Sequence, residues 1–107
     1  MPAQKSVIKQ IEKLVSEMKA SGIHLRKAII YASYAKNTHH KWSDIDLALV
    51  ADEFQGVDFY DVGKFSKILI KYSNLLIQPR TYNPKQFSRE KDPLVDEIIK
   101  TGIEIEI

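Results

Sequence analysis

The 107-residue sequence contains no cysteine, only four glycines and four prolines, and no long run of apolar residues. Without cysteine the chain can form neither a disulfide nor a thiolate zinc site, and it has no cysteine nucleophile, which fits a reducing compartment. The apolar runs are far shorter than the roughly 20 residues that span a bilayer. Residues 1–19 carry a lysine at nearly every helical turn, which argues against a secretory signal. We therefore expect a cytoplasmic protein without a membrane segment.

Acidic and basic residues are segregated along the chain. Residues 42–62 contain six Asp or Glu and no Lys or Arg, and this block lies between two basic segments, although the formal net charge is only +2. The hydrophobic content of 44% is ordinary for a folded protein. A chain of this length is expected to form one compact domain, here over residues 1–107.

Hydrophobic periodicity predicts an α/β (α+β) domain in which helices and strands alternate. An amphipathic helix over residues 7–18 precedes two strands, Leu25–Tyr31 and 45–50. A second helix is predicted from Asp58, and its expected buried stripe consists of Phe59, Val62, Phe65, Leu69 and Tyr72. A short strand over residues 75–77 is predicted next. Two helices follow, one capped by Asn83 with Gln86 at the capping-box position and one capped by Asp92, and a last strand over residues 103–107 completes the prediction.

Two aspartates open the predicted second strand. Residues two apart on a strand share a face, so Asp44 and Asp46 project together while Ile45 and Leu47 point into the core. Two carboxylates held this close favour a hard cation such as Mg²⁺. Solvated aspartates at the start of a strand are common, so this pair alone does not define a metal site.

The segment before the aspartates adds a second feature. The first predicted strand ends at Tyr31 and is followed by Ala32, Ser33 and a polar loop that contains Lys36. A loop at the end of a strand that offers backbone N–H groups, a hydroxyl and a nearby lysine can hold phosphate. Ser33 could instead only form a turn, and Lys36 could be a solvated loop lysine.

Together these residues resemble a known family. Ala32-Ser33, ten intervening residues and Asp44-Ile45-Asp46 are similar to the Gly-Ser, ten-residue gap, Asp-x-Asp motif of the minimal nucleotidyltransferases in the DNA polymerase beta superfamily. The segments 77–80, 83–87 and 92–103 also resemble the tail of short bacterial and archaeal members. The resemblance therefore extends over nearly the whole chain.

This resemblance implies a nucleotidyltransferase-like mixed β-sheet flanked by helices. It implies that Asp44 and Asp46 are catalytic and bind two Mg²⁺ ions, and that Ser33 contacts the triphosphate of the NTP. We expect Ala32 and Lys36, on the same loop, to contribute to nucleotide binding. The expected reaction transfers an NMP, most plausibly AMP, to a hydroxyl acceptor. Small members are often partnered with a HEPN-domain protein in toxin–antitoxin pairs, which makes such a protein, or a second copy of this chain, an expected partner.

Three residues depart from the family pattern, of which Asn37, where another glycine is usual, is the mildest change because asparagine tolerates positive φ. Ala32 stands where the family has glycine, and its Cβ restricts the backbone and the approach to phosphate. Gln78 stands where active members commonly have a third carboxylate, and an amide cannot act as a general base near neutral pH. A replacement carboxylate could come from the substrate, from Glu104 or from Glu106.

Two hypotheses for function follow from this pattern. The first is an Mg²⁺-dependent nucleotidyltransferase. The alternative is a catalytically impaired, antitoxin-like subunit that binds a nucleotide or a partner. Arg80, just beyond the third strand, could reach phosphate or form a salt bridge at the rim. Nucleic-acid binding, suggested by the basic segments and a pI near 8.8, is the least favoured option.

Overall fold

The computed structural model describes residues 2–32 and 44–107. These residues form eight elements, whose order along the chain is α1 (Pro2–Ala20), β1 (Leu25–Tyr31), β2 (Ile45–Ala51), α2 (Asp58–Val62), α3 (Ser66–Ile70), β3 (Ile77–Tyr82), α4 (Pro93–Thr101) and β4 (Ile103–Glu104). The bounds of β1 and the existence of β2 agree with the sequence prediction, because residues 28–31 of β1 and nearly all of β2 are apolar.

The four strands form one mixed sheet in the order β3-β2-β1-β4. Strand β1 pairs antiparallel with both β2 and β4, whereas β2 and β3 are parallel. Parallel strands cannot be joined by a tight turn, and here α2 and α3 lie in the connection between β2 and β3. The predicted α+β fold with a mixed sheet flanked by helices is therefore confirmed.

Each face of the sheet is covered by apolar residues. The larger cluster joins α1 to one face and includes Ile11, Leu14, Met18, Ile45, Leu47, Leu49, Phe54 and Phe65. The smaller cluster lies between α4 and the other face and includes Ile29, Ala48, Val50, Tyr82, Val95 and Ile98. Side chains alternate along β2, so Asp46 shares a face with Ala48 and Val50, at the end that the smaller cluster leaves uncovered.

The second predicted helix is interrupted. Residues 63–65 form a turn between α2 and α3, so the side chains predicted for the buried stripe no longer lie on one face of a single helix. Phe65 is buried, but Phe59 is 90% exposed, and its predicted place in the buried stripe was wrong. The buried residue of α2 is instead Asp61, whose carboxylate accepts N–H groups of the preceding loop.

Predictions for the third strand and the segment after it were only partly right. Strand β3 runs through Pro79, which is tolerated because β3 is an edge strand and Pro79 can face its free side. The predicted capping contact after β3 forms, since Asn83 donates its N–H to Gln86 Oε1 at 3.0 Å. No helix follows among residues 83–92. Gln86 Nε2 donates a hydrogen bond to the Gln55 carbonyl, and Asp92 has the extended conformation that a residue before proline favours, so the next helix begins only at Pro93.

Candidate active site

Asp46 lies on β2 and is half-buried, and Asp44 lies just before the strand and is exposed. Burial raises the pKa of Asp46, and the negative charge of Asp44 raises it further, while Arg80 acts in the opposite direction. The two carboxylates therefore repel each other in the protein without a cation. Ile45 and Leu47 point into the core, and Asp46 between them lies on the opposite face, as the alternation of the strand predicted.

The end of β1 lies beside this pair. Tyr31 is the antiparallel partner of Asp46, so the residue after Tyr31 leaves the sheet next to the carboxylates. That residue, Ala32, has a φ of 60°, the left-handed conformation that glycine adopts at no steric cost. The backbone thus keeps the conformation expected of the family's glycine although the side chain has changed. Ser33 and Lys36 lie outside the described residues.

Gln78 is the partner of Asp46 on the other side. The parallel register of β2 and β3 places the two residues opposite each other, and the Gln78 side chain is exposed. Where the resemblance leads us to expect a third carboxylate, the side chain beside Asp46 is a neutral amide. Glu104 does not replace it, because β1 lies between β4 and β2 and Glu104 forms an ion pair with Lys27 at 3.5 Å. Within residues 2–32 and 44–107 no three His, Cys, Asp or Glu side chains form a metal-binding group.

Arg80 follows Gln78 by two residues and shares its face of β3. Hydrogen bonding to the Tyr31 hydroxyl raises the pKa of Arg80, although partial burial opposes this effect. The predicted alternative of a salt bridge is not formed with any carboxylate in the described part of the chain. Tyr31 was not predicted as a neighbour of the site, although the position of Tyr31 directly before Ala32 could have indicated it.

The donor set fits a hard divalent cation. Asp44 and Asp46 supply carboxylate oxygens, and Gln78 supplies an amide oxygen at the adjacent position. Mg²⁺ is commonly held by one or two carboxylates together with substrate phosphates, so two aspartates on one face suffice for the protein's share of its ligands. A cation here would also relieve the repulsion that raises the pKa of Asp46.

Comparison with known proteins identifies the family of the chain and agrees with its fold. The family model described as polymerase beta, nucleotidyltransferase, matches residues 9–106, so the chain belongs to this family. No curated protein matches the sequence.

Two solved structures show the same fold. A crystal structure of a candidate nucleotidyltransferase from Sulfolobus solfataricus superposes with a TM-score of 0.68 at 19% identity, over 96% of this chain and 82% of the other. A crystal structure of a toxin–antitoxin with AMP-PNP superposes with a TM-score of 0.61 at 16% identity, over 89% of this chain and 72% of the other. At these identities the superpositions establish the fold alone. The resemblance derived from the sequence is confirmed at the level of family and fold.

Helices long and apolar enough to cross a membrane are absent from residues 2–32 and 44–107.

Proposed function

We propose that the chain transfers an NMP, most plausibly AMP, from an NTP to a hydroxyl acceptor with the help of Mg²⁺. The observation that carries this proposal is the juxtaposition of Asp44 and Asp46 with the left-handed turn at Ala32, through the direct pairing of Tyr31 with Asp46. A nucleotidyltransferase needs its cation ligands and its phosphate-binding turn at one place. The position of Asp46 and of the turn at Ala32 at the same end of the sheet supports the proposal.

In the proposed reaction, cation binding and triphosphate binding fall to different residues of the chain. Asp44 and Asp46 hold the cations, and the backbone of Ala32, the Ser33 hydroxyl and Lys36 bind and orient the triphosphate. The acceptor oxygen forms a bond to the α-phosphorus, the bond from that phosphorus to the β-phosphate bridge breaks, and pyrophosphate leaves. Two Mg²⁺ ions, when bound, supply the positive charge that stabilises the attacking and leaving oxygens.

The proton of the acceptor hydroxyl needs a destination other than Gln78. An amide is not a base near neutral pH, so Gln78 can orient the acceptor through its oxygen but cannot accept the proton. The proton therefore passes to solvent or to a basic group that the acceptor itself brings. Either route makes the transfer slower than in a site with a third carboxylate.

The proposed acceptor is a hydroxyl on a partner protein, of which a helical HEPN-type protein is the first candidate. The similarity of fold to a toxin–antitoxin structure supports an antitoxin-like role. The family resemblance over nearly the whole chain supports the same role. A second copy of this chain is the alternative protein partner, and a small molecule is the alternative acceptor.

The test is incubation of the full chain with α-labelled ATP, Mg²⁺ and the protein encoded next to it. We expect label on the partner, dependent on Mg²⁺, and a loss of at least about 100-fold in the double variant Asp44→Asn with Asp46→Asn. Asp52→Asn is the matched control, because Asp52 follows β2 at its other end and pairs with Arg26. Unchanged transfer by the double variant would sink the proposal.

The alternative function is that of an impaired subunit that binds the nucleotide or the partner without turnover. The neutral Gln78 beside Asp46 and the alanine at the left-handed turn favour it. Calorimetric titration with ATP and Mg²⁺ separates the two functions. Binding without label transfer to any tested acceptor supports the alternative, and absence of binding leaves only a role in protein interaction.

A further inference from the structure

Arg80 differs from the other two arginines of the chain in its partners. Arg26 binds the carboxylate of Asp52 at 2.7 Å, and Arg89 binds that of Asp96 at 2.9 Å. Arg80 forms no ion pair with a described carboxylate, and its side chain is exposed. Its guanidinium carries five N–H donors, and the hydroxyls of Tyr31 and Tyr82, which lie near it, can accept only some of them.

The contact with Tyr31 fixes where this guanidinium lies. Arg80 is the strand partner of Ala48, and Tyr31 is the partner of Asp46 on the opposite side of β2. A side chain that reaches from β3 to a hydroxyl on β1 has to cross β2, and the small Ala48 leaves room for it. The guanidinium therefore lies near Asp46, on the face of the sheet that α4 covers.

Tyr82 adds a second unused donor on the same face. It follows Arg80 by two residues on β3, and its side chain is only 7% exposed, packed against Phe87 with ring centroids 5.2 Å apart. Its hydroxyl has no hydrogen-bond partner in the described part of the chain. Buried polar atoms without a partner are rare, and such an atom beside a guanidinium that has no ion pair indicates a missing acceptor.

The nearby carboxylates do not fill this role. The Asp92 side chain accepts the N–H of Leu94 as the cap of α4, and that of Asp58 accepts the backbone N–H of Thr81 at 2.8 Å. Asp46 lies at the proposed cation site. Since Gln78 is neutral, the β3 side of Asp46 carries the positive charge of Arg80 where a third carboxylate would otherwise repel an anion.

We propose that Arg80 and Tyr82 bind an oxyanion, a phosphate or a carboxylate group, that the acceptor carries near its hydroxyl. This inference rests on the proposed function only in assuming that the bound anion belongs to the acceptor of the transfer. The site itself is a property of the free chain. It selects acceptors that bring their own negative charge to the position that Gln78 leaves neutral. Tyr31 is a positioning residue, since it holds the guanidinium over β2.

The site can be tested without nucleotide, metal or acceptor. Inorganic phosphate and acetate are titrated separately into the full chain, and binding is followed by the NMR signals of the arginine side chains and of the residues around Asp46. We expect at least one of the two anions to bind with a millimolar dissociation constant. The anion that binds more tightly identifies the group, because phosphate and acetate represent its two sources.

Variants assign the binding to these side chains. We expect Arg80→Gln to weaken binding at least tenfold, and Tyr82→Phe, which keeps the ring packed against Phe87, to weaken it severalfold. Tyr31→Phe should weaken it less than Arg80→Gln. Arg26→Gln is the matched control and should leave the affinity unchanged, because Arg26 is engaged with Asp52 at the other end of the sheet.

Contrary outcomes are equally clear. If Arg80→Gln binds both anions as the wild type does, or if neither anion binds the wild type, the site does not exist. If Tyr82→Phe is unchanged, the paired-donor site is wrong. The titration is repeated with saturating Mg²⁺ and a non-hydrolysable ATP analogue to distinguish the anion site at Arg80 and Tyr82 from the triphosphate site. The anion should still bind, and displacement of the anion by the analogue would overturn the inference. None of these readings depends on NMP transfer, so transfer and anion binding can fail separately.

Discussion

Asp46 and Gln78 lie directly opposite each other on the parallel strands β2 and β3. This pairing brings the proposed cation ligand and a neutral amide to adjacent positions on one face of the sheet. The side chain at position 78 is exposed, so a single substitution there can change the charge beside Asp46 without repacking the core.

We expect Gln78→Glu to increase the rate of NMP transfer by about 100-fold or more, since a positioned general base contributes at least that much. The new carboxylate also adds a ligand for the cation. The rate is measured with labelled ATP at fixed Mg²⁺, and Gln78→Asn serves as the control that keeps an amide.

The same variant has a readout that does not need activity. Without Mg²⁺, Gln78→Glu should lower the melting temperature, because a third negative charge joins Asp44 and Asp46. Addition of Mg²⁺ should raise it by more than in the wild type. A variant whose melting temperature ignores Mg²⁺ would contradict the cation site.

Ala32 holds a left-handed conformation that an L-residue adopts at a cost of roughly 1–2 kcal/mol. We expect Ala32→Gly to increase the free energy of unfolding by up to about 1 kcal/mol, because relief of this strain exceeds the greater backbone entropy of glycine in the unfolded chain. Denaturation in urea measures the change. The control, Ala28→Gly within β1, should lower stability, and a loss of similar size in both variants would contradict the strained turn.

Asp61 is fully buried, and its carboxylate accepts the N–H groups of Gln55, Gly56 and Val57 and the hydroxyl of Thr81. We expect Asp61→Asn to lower the free energy of unfolding by about 3 kcal/mol, because the amide replaces a charged acceptor with a group that carries its own N–H donors. Asp96→Asn, an exposed change on α4, should cost less than about 1 kcal/mol. Equal effects of the two substitutions would rule out a structural role for Asp61.

The contribution of Asp61 depends on pH. Burial by itself raises its pKa, but the hydrogen bonds from Gln55, Thr81, Gly56 and Val57 outweigh burial and lower the pKa below the ordinary value. The ionised form is therefore stabilised in the folded state. Its contribution is present above about pH 4, the ordinary range of aspartate, and is lost as the pH falls through the lower folded pKa. The stability difference between the wild type and Asp61→Asn should shrink over that range.

His24 and Glu53 form a hydrogen-bonded pair between the start of β1 and the loop after β2. The hydrogen bond and then the charge of Glu53 raise the pKa of His24 above its ordinary value. The stabilisation is present below about pH 6.5 and is lost as the pH rises through the folded pKa. NMR titration should show a raised pKa that falls toward about 6.5 in Glu53→Gln, and a value that does not respond to this substitution would contradict the pairing.

Local patterns predicted well those elements that depend on neighbouring residues. The strand Leu25–Tyr31 and the caps at Asn83 and Asp92 were read from a few adjacent side chains, and their contacts are present. The errors occurred where distant residues decide. Phe59 was expected to be buried because periodicity cannot detect the turn that separates α2 from α3.

The sequence by itself determined that Asp46 lies on the face opposite to Ile45 and Leu47 and that Ala32 follows a strand, because alternation along a strand and chain order are local properties. Only the tertiary structure decided which residues flank Asp46. Tyr31 and Gln78 are its neighbours because the antiparallel and parallel registers are set by packing on both faces of the sheet. The same registers bring Arg80 across β2 to Tyr31, a contact between residues 49 positions apart that no local pattern contains.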